Sequence, residues 1–415
     1  MVWGLSRYDV IQKSGFWDPF PPLCGVIKGA AFDGRHKNKE PSLPIVQYGP
    51  TTAMVYKHVG HTNAFESKGV TRYIHTATLP SLSPDTVYHY KVGNADGWST
   101  TPYQFKTFPA GNDFKFRVCV FGDLGYHHGN SIPDLMEAAK SEWFDMIIHV
   151  GDIAYDLHAT DDDGHNIGDK YMRELEPVFS RYPYMVIAGN HENDGKNFSH
   201  FHNRFRMPGE AGGHHNNQYY SYNVGPAHFF GVSTEHYGYL NEYGKAPILA
   251  QYSWLTNDLQ EANKNRASRP WIIGYQHRPF YCSNSHCPID EEPIIRIGET
   301  GIPGLESVYI QNKVDLQFWG HMHSYERFYP MANLFPQGNG DSAYHNAAAP
   351  TYIITGSAGC HSPKTPFGTP HPGSAFRSDD YGYTIMSVYN HTHIHLYQWS
   401  VDQQKNIDNF WIIKD

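Results

Sequence analysis

Residues 115–125, KFRVCVFGDLG, decide the reading: an apolar run stops at Gly122-Asp123 and turns polar. Four later stretches repeat the plan. They are DMIIHVGDIAY (145–155), YMVIAGNHE (184–192), WIIGYQH (271–277) and VDLQFWGHMH (314–323). Short runs rich in Val and Ile, each ending near Gly, read as buried strands. Between them lie helix-like stretches, SIPDLMEAAKSEWF and QYSWLTNDLQEANKN. Alternating strands and helices predict an α/β layer fold, a β-sheet sandwich flanked by helices. Late in the chain TYIITGSAG, GYTIMSVYN and HTHIHLYQWS return to strands and are expected to extend a sheet of the same unit.

Working outward, the rhythm before residue 109 is different. PIVQYGP, TRYIHTATL, TVYHYKVGN and PYQFKTF are short, β-branched and aromatic, and broken by turns. In TVYHYKV, Tyr88, Tyr90 and Val92 alternate with Val87, His89 and Lys91, the period of a half-buried strand. The preceding LSPDTVY (82–88) resembles the tyrosine-corner segment of fibronectin type III sandwiches. Residues 44–108 therefore read as a small all-β sandwich, PAGND (109–113) as a linker, and 113–415 as the larger unit. Residues 1–43 have no clear period and remain unassigned, either an incomplete part of the sandwich or an alternative start; no strand can be read in them, which leaves the sandwich short of one edge strand. Their start, MVWGLSRYDVIQKSGFWDPF, lacks the apolar core of a signal peptide.

Composition narrows the function. The 415 residues carry 32 basic and 41 acidic side chains, a formal charge of -9 with no basic stripe, which argues against nucleic acid as partner. There is no run of about 20 apolar residues, so no membrane span is expected. Aromatics at 15% exclude a disordered chain, and 27 His invite a metal hypothesis. Of five cysteines, Cys119 sits in an apolar run, Cys282 and Cys287 are close enough for a local disulfide, and Cys24 and Cys360 have no evident partners. The sequons at Asn197 and Asn390 fit a glycoprotein.

Ligands in layered α/β folds bind beyond the carboxyl ends of strands. There the five runs offer Asp123, then Asp152 with Tyr155, Asn190 with His191, His277, and finally His321 with His323. None is a cysteine, which excludes a thiolate zinc cluster and suits two cations held by carboxylate, amide and imidazole. Each block alone is an ordinary turn. Five in order, all at strand ends, are not explained as turns.

GDLG, GDIAY, GNHE, the His of YQHRP, and GHMH, in that order, resemble the calcineurin-like metallophosphoesterases. The Tyr within GDIAY, with the sandwich ahead of the larger unit, is similar to the long form of the purple acid phosphatases. The resemblance implies an acid phosphatase: a metallophosphoesterase unit that hydrolyses small phosphate monoesters by in-line attack of a metal-bound hydroxide. It implies Fe(III) held by Asp123, Asp152, Tyr155 and His323, and a divalent Zn, Mn or Fe held by Asp152, Asn190, His277 and His321. Asp152 would bridge the two. His191 and His286 match the family's outer-sphere histidines that assist the leaving group; His286 is followed by Cys287 where some relatives have a second His. The family also implies a secreted or lysosomal destination. Oligomeric state and physiological substrate do not follow from it.

Two rival readings share parts of the pattern. A phosphodiesterase or pyrophosphatase would carry the same five blocks, but two divalent metals have no need of a phenolate. A binding module with a degenerate metal unit would not keep a complete donor set. Other polar residues read as structural: His127 and His128 as cap or surface groups, His214 and His215 as exposed, and residues 161–163 as a solvated acidic loop. Glu326 and Arg327 read as an ion pair, while Arg278 is open to either a phosphate or the local backbone.

Overall fold

The computed structural model describes residues 2–8, 23–31, 42–95, 97–208, 217–285, 287, 293–360 and 364–415. Two sheets build the larger unit. The first runs Tyr184–Val186, Met146–His149, Phe116–Phe121, Gly382–Val388, His393–Ser400 and Lys405–Ile413, its first three strands parallel and the rest antiparallel. The second runs Tyr219–Val224, Ala227–Val232, Trp271–Tyr275, Leu316–Trp319, Thr351–Thr355, Tyr325–Phe328 and Ser374–Ser378. The late strands join these two sheets, as expected of one unit.

Side-chain alternation decides what each sheet face meets. Ile273, Phe318 and Ile353 turn inward to share one core with Val118, Val120 and Ile148 of the other sheet. Their neighbours Ile272, Trp319, Tyr352 and Ile354 turn outward, against Leu255 and Leu259 of the helix Ala246–Lys264. That helix buries Ile248, Gln251, Leu255, Leu259 and Ala262, a three- and four-residue spacing that makes one buried stripe, apolar except for Gln251. Threonines tie the sheets near the site: Thr355 Oγ1 donates to Val120 O at 3.2 Å and Thr384 Oγ1 to Thr355 Oγ1 at 3.0 Å.

The preceding segment forms a second pair of sheets around Val46, Leu79, Tyr88, Tyr90, Val92 and Phe105. Tyr88, Tyr90 and Val92 are buried, whereas Val87 is exposed, as the alternation predicted. The Tyr88 hydroxyl accepts from Ser83 N at 2.9 Å, closing the tyrosine corner. Within residues 1–43 the described residues include two strands that the sequence reading did not find. Strands Val2–Tyr8 and Leu23–Ala31 stand in order beside Val70–Leu82, so this sheet has the edge strands that the sequence reading withheld. Val2–Tyr8 pairs with Leu23–Ala31, whose own partner in the sandwich lies some 50 residues downstream, and no local period announces such a pairing.

Among the described residues no helix is long and apolar enough to cross a membrane. Cys282 and Cys287 are disulfide-bonded, and Cys119 and Cys360 are buried thiols.

Candidate metal centre

Three of the five blocks leave the first sheet and two leave the second, all at carboxyl ends of parallel strands. The strands themselves are buried apart from half-exposed Arg117, so the turns after them present the donors. The donors gather in two groups. In one, the Tyr155 hydroxyl lies 2.7 Å from His323 Nε2 and donates to Asp123 Oδ1 at 3.4 Å, with His323 Nε2 and Asp123 Oδ1 3.6 Å apart. In the other, His277 Nε2 lies 3.1 Å from Asn190 Oδ1 and 3.4 Å from Asp152 Oδ1. Donor atoms of Asp152, His277 and His321 all fall within 4.8 Å of one another. Such a set of carboxylate, phenol, amide and imidazole fits hard and borderline cations.

The backbone is bent to achieve this. Asp123, Asp152, Tyr155 and His321 have φ of 57°, 50°, 48° and 68°, left-handed values that cost non-glycine residues about 1–3 kcal/mol each. The glycines of the blocks make the close packing possible. A Cβ at Gly189 would stand 2.2 Å from Asp152 Oδ1, and one at Gly320 would stand 2.7 Å from Asp123 Oδ2.

Second-layer contacts orient the donors. His277 Nδ1 donates to Val150 O at 2.8 Å, which turns Nε2 toward Asp152 and Asn190. Asp123 Oδ2 accepts from His321 N at 2.9 Å, and Asp152 Oδ1 from His191 N at 3.0 Å. Glu192, completely enclosed, accepts from Asp152 N and Gly189 N at 2.8 Å and from Ile153 N at 2.9 Å. It fastens the second block to the third. Sequence reading missed Glu192; its signal was a charge closing GNHE directly after an apolar run. It also missed Asp156, whose Oδ1 lies 3.0 Å from His191 Nδ1, and the buried Cys360, which with Asp123 raises His323.

Crowded charge explains the titration pattern. Burial would depress His277, but the Asp152 carboxylate outweighs it and lifts the imidazole to about 10. His321, half-buried and 5.0 Å from the His277 ring, is pushed well below its usual range by desolvation and by the His277 charge. Burial favours the neutral acid at Asp152, yet the His277 charge and hydrogen bond hold it well below the carboxylate range. Burial raises Asp123, and raises Tyr155 well above 10 with the help of Asp123 and Asp152. Burial and then the Asp152 charge push Glu192 up to about 7. His191 rises to about 9, since its bond to Asp156 and the Asp152 charge overcome partial burial. Its side chain is 31% exposed and its Nε2 lies 4.0 Å from Asp152 Oδ2, at the open side of the cluster.

Other residues fall as follows. His286, His214 and His215 lie outside the described residues. Arg278 Nε and Nη2 grip buried Glu235 at 3.0–3.1 Å, a partner that the sequence reading did not name. Glu326 and Arg327 are not a pair. Neighbours on a strand face opposite ways, and Glu326 takes Ser283 N at 2.8 Å while Arg327 Nε takes Asp408 at 2.7 Å. The acidic loop is tied rather than merely solvated: Asp161 pairs with Lys170 and, at 3.1 Å, with His127. Asn197 and Asn390 are exposed.

Residues 116–325 match the model of the calcineurin-like phosphoesterases, 349–409 that of the iron/zinc purple acid phosphatase-like protein C, and 36–107 that of the purple acid phosphatase N-terminal domain. Human acid phosphatase type 7 is 41% identical over 386 residues, covering 90% of this chain and 86% of its own. The chain belongs to the purple acid phosphatase family. Another relative, the Fe(3+)-Zn(2+) purple acid phosphatase 12 of Arabidopsis thaliana, is 30% identical over 359 residues, covering 82% of this chain and 72% of its own. The solved purple acid phosphatase PPD1 of yellow lupin shares the fold, with a TM-score of 0.77 at 23% identity, over 100% of this chain and 74% of that one. Membership makes this chain an acid phosphatase of the metallophosphoesterase type, and the family implies phosphomonoester hydrolysis at a dinuclear metal centre.

Proposed function

We propose that the chain hydrolyses small phosphate monoesters at an Fe(III)–M(II) centre, M being Zn, Mn or Fe. Asp123, Asp152, Tyr155 and His323 would hold the iron, and Asp152, Asn190, His277 and His321 would hold the divalent ion, with Asp152 shared by the two. The observation that carries this is the Tyr155 hydroxyl, 2.7 Å from His323 Nε2 and 3.4 Å from Asp123 Oδ1. A buried phenol among hard donors suits a trivalent ion, and the imidazole-richer group suits a divalent one.

When bound, the two cations supply the Lewis acidity that generates the nucleophile and offsets phosphoryl charge. The chain supplies the rest. Asp152 has two oxygens to share between the groups, whereas Asn190 adds an amide oxygen without adding charge. His191, oriented by Asp156 at 3.0 Å, carries a proton at the open side of the cluster and delivers it to the departing oxygen. His286 is proposed as a second leaving-group histidine. Exposed Asn197 and Asn390 and the disulfide between Cys282 and Cys287 support a glycosylated chain with a secreted or lysosomal destination. We divide the chain at the linker 109–113, with the strands Val2–Tyr8 and Leu23–Ala31 assigned to the sandwich that continues to residue 108.

The test is turnover of p-nitrophenyl phosphate against its bis ester across pH, with metal content of wild type and Asp152→Ala. A monoester preference with an acid optimum, and loss of both metals in the variant, are expected. Preference for the diester, or a variant that keeps both metals, contradicts the reading.

A further inference from the structure

We infer that Arg72, on the sandwich strand Val70–Leu82, is a positioning residue for the loop that carries Tyr155, acting through Asp169, Arg204 and Asn166. The inference rests on the reading of Tyr155 as a ligand, and it gives the sandwich a part in the chemistry. The backbone is left-handed at Tyr155 and again at Asp156, with φ of 48° and 66°. Two such residues in succession persist only where the chain around them is held.

Asn166 does the holding. Its Nδ2 donates to Leu157 O at 3.0 Å and to Ala159 O at 2.9 Å, immediately beyond the bend. Its Oδ1 caps the helix Ile167–Glu174 by accepting from Asp169 N at 3.1 Å, and also accepts from Arg204 Nη2 at 2.7 Å. The same Nη2 bonds Asp169 Oδ1. From the sandwich, Arg72 Nε reaches both Asp169 oxygens at 3.2 and 3.1 Å. The side chains of Arg72, Asp169 and Arg204 are only 6%, 12% and 1% exposed, so water does not replace a lost partner. With Arg72 gone, Asp169 turns fully to Arg204. Because one nitrogen of Arg204 serves both Asp169 and Asn166, that turn draws it off Asn166 and frees Leu157 and Ala159.

The two units also touch where no such relay exists. Tyr90 donates to Ser180 O at 2.7 Å, and Tyr103 bonds Glu176. These contacts dock the sandwich without reaching the loop, and Tyr103→Phe is therefore the control.

The experiment compares holoenzyme of wild type, Arg72→Met, Arg72→Lys and Tyr103→Phe. It reads amide exchange over residues 156–166, the visible charge-transfer band, and kcat and KM separately. Arg72→Met should speed exchange there by about tenfold, shift the band, and lower kcat by about ten- to a hundredfold at little change in KM. Arg72→Lys should restore part of each, since it keeps the charge but loses the planar fork. Tyr103→Phe should lower only the melting temperature. Wild-type exchange in Arg72→Met, or the same effects from Tyr103→Phe, overturns the inference. If Arg72→Met does not fold, wild-type exchange in Arg72→Lys does so. A colourless wild type would sink the ligand reading of Tyr155, while the exchange comparison still decides the relay.

Discussion

Gly189→Ala isolates how tightly the metal donors are packed. Gly189 has φ of -103° and ψ of -174°, ordinary extended backbone that alanine adopts freely, so the substitution adds no backbone strain. It adds one methyl group in a space already filled. The new Cβ would lie 2.2 Å from Asp152 Oδ1, 2.5 Å from Asp152 N and 2.9 Å from His277 Cε1. Ordinary carbon contact begins at 3.4 Å, so Oδ1 must retreat by 3.4 minus 2.2, or 1.2 Å. The neighbour at 2.5 Å is main chain, so the turn carrying Asp152 must move as well. Misplacing a reacting constellation by about 1 Å costs on the order of a hundredfold in rate. Overpacking of this kind costs roughly 1–3 kcal/mol of stability, which a domain of this size survives. The variant should therefore fold, bind less metal, and lose about two orders of magnitude in kcat. Gly164→Ala is the control: its φ is +80°, but nothing lies within 4 Å of the added carbon. It should keep metal content and kcat. Metal content, steady-state kinetics and a thermal melt on both proteins are the assay. A Gly189→Ala enzyme with full metal content and wild-type kcat would refute the packing argument.

Three further outcomes are expected. Glu192→Ala leaves three enclosed amides without their acceptor; at about 1–3 kcal/mol for an unsatisfied buried group, thermal unfolding should move down by several degrees, and an unmoved midpoint contradicts the role. His191→Gln should slow alkyl phosphates by about 10²–10⁴ and p-nitrophenyl phosphate by less, because a good leaving group needs little protonation; equal losses tell against proton donation. His191 also sets a pH dependence in metal-depleted protein, because its folded-state value lies above the usual 6.5, at about 9. Its stabilisation is complete below pH 6.5 and is lost as pH rises through about 9, so the wild-type melting temperature should fall across that window more than that of His191→Gln; parallel curves contradict it.

Much of the centre was legible because strand ends leave a strong pattern: an apolar run, a glycine, then a polar donor. Asp123, Asp152, Tyr155, Asn190, His277, His321 and His323 all follow that pattern or sit within three residues of it. What organises them was harder to see. Glu192 serves backbone amides rather than a partner of opposite charge, and no spacing rule announces that. Glu235 is the partner of Arg278 from 43 residues away, and Asp408 that of Arg327 from 81; such pairings exist only once the sheets are assembled. The strands Val2–Tyr8 and Leu23–Ala31 escaped for the same reason. Each carries glycine and lacks clean alternation, and the sheet that accepts them is written elsewhere in the chain. Local pattern specifies elements, and long-range pairing decides what they are for.

The central claim is that Tyr155 is a phenolate ligand of ferric iron. The most direct test is a visible absorption spectrum of aerobically purified protein, with metal content on the same sample, for wild type and Tyr155→Phe. The account predicts a broad visible band that colours wild type purple, about one iron per chain beside a second metal, and a band absent from Tyr155→Phe. A colourless wild type carrying two divalent ions, or a Tyr155→Phe protein that keeps the band, would contradict it.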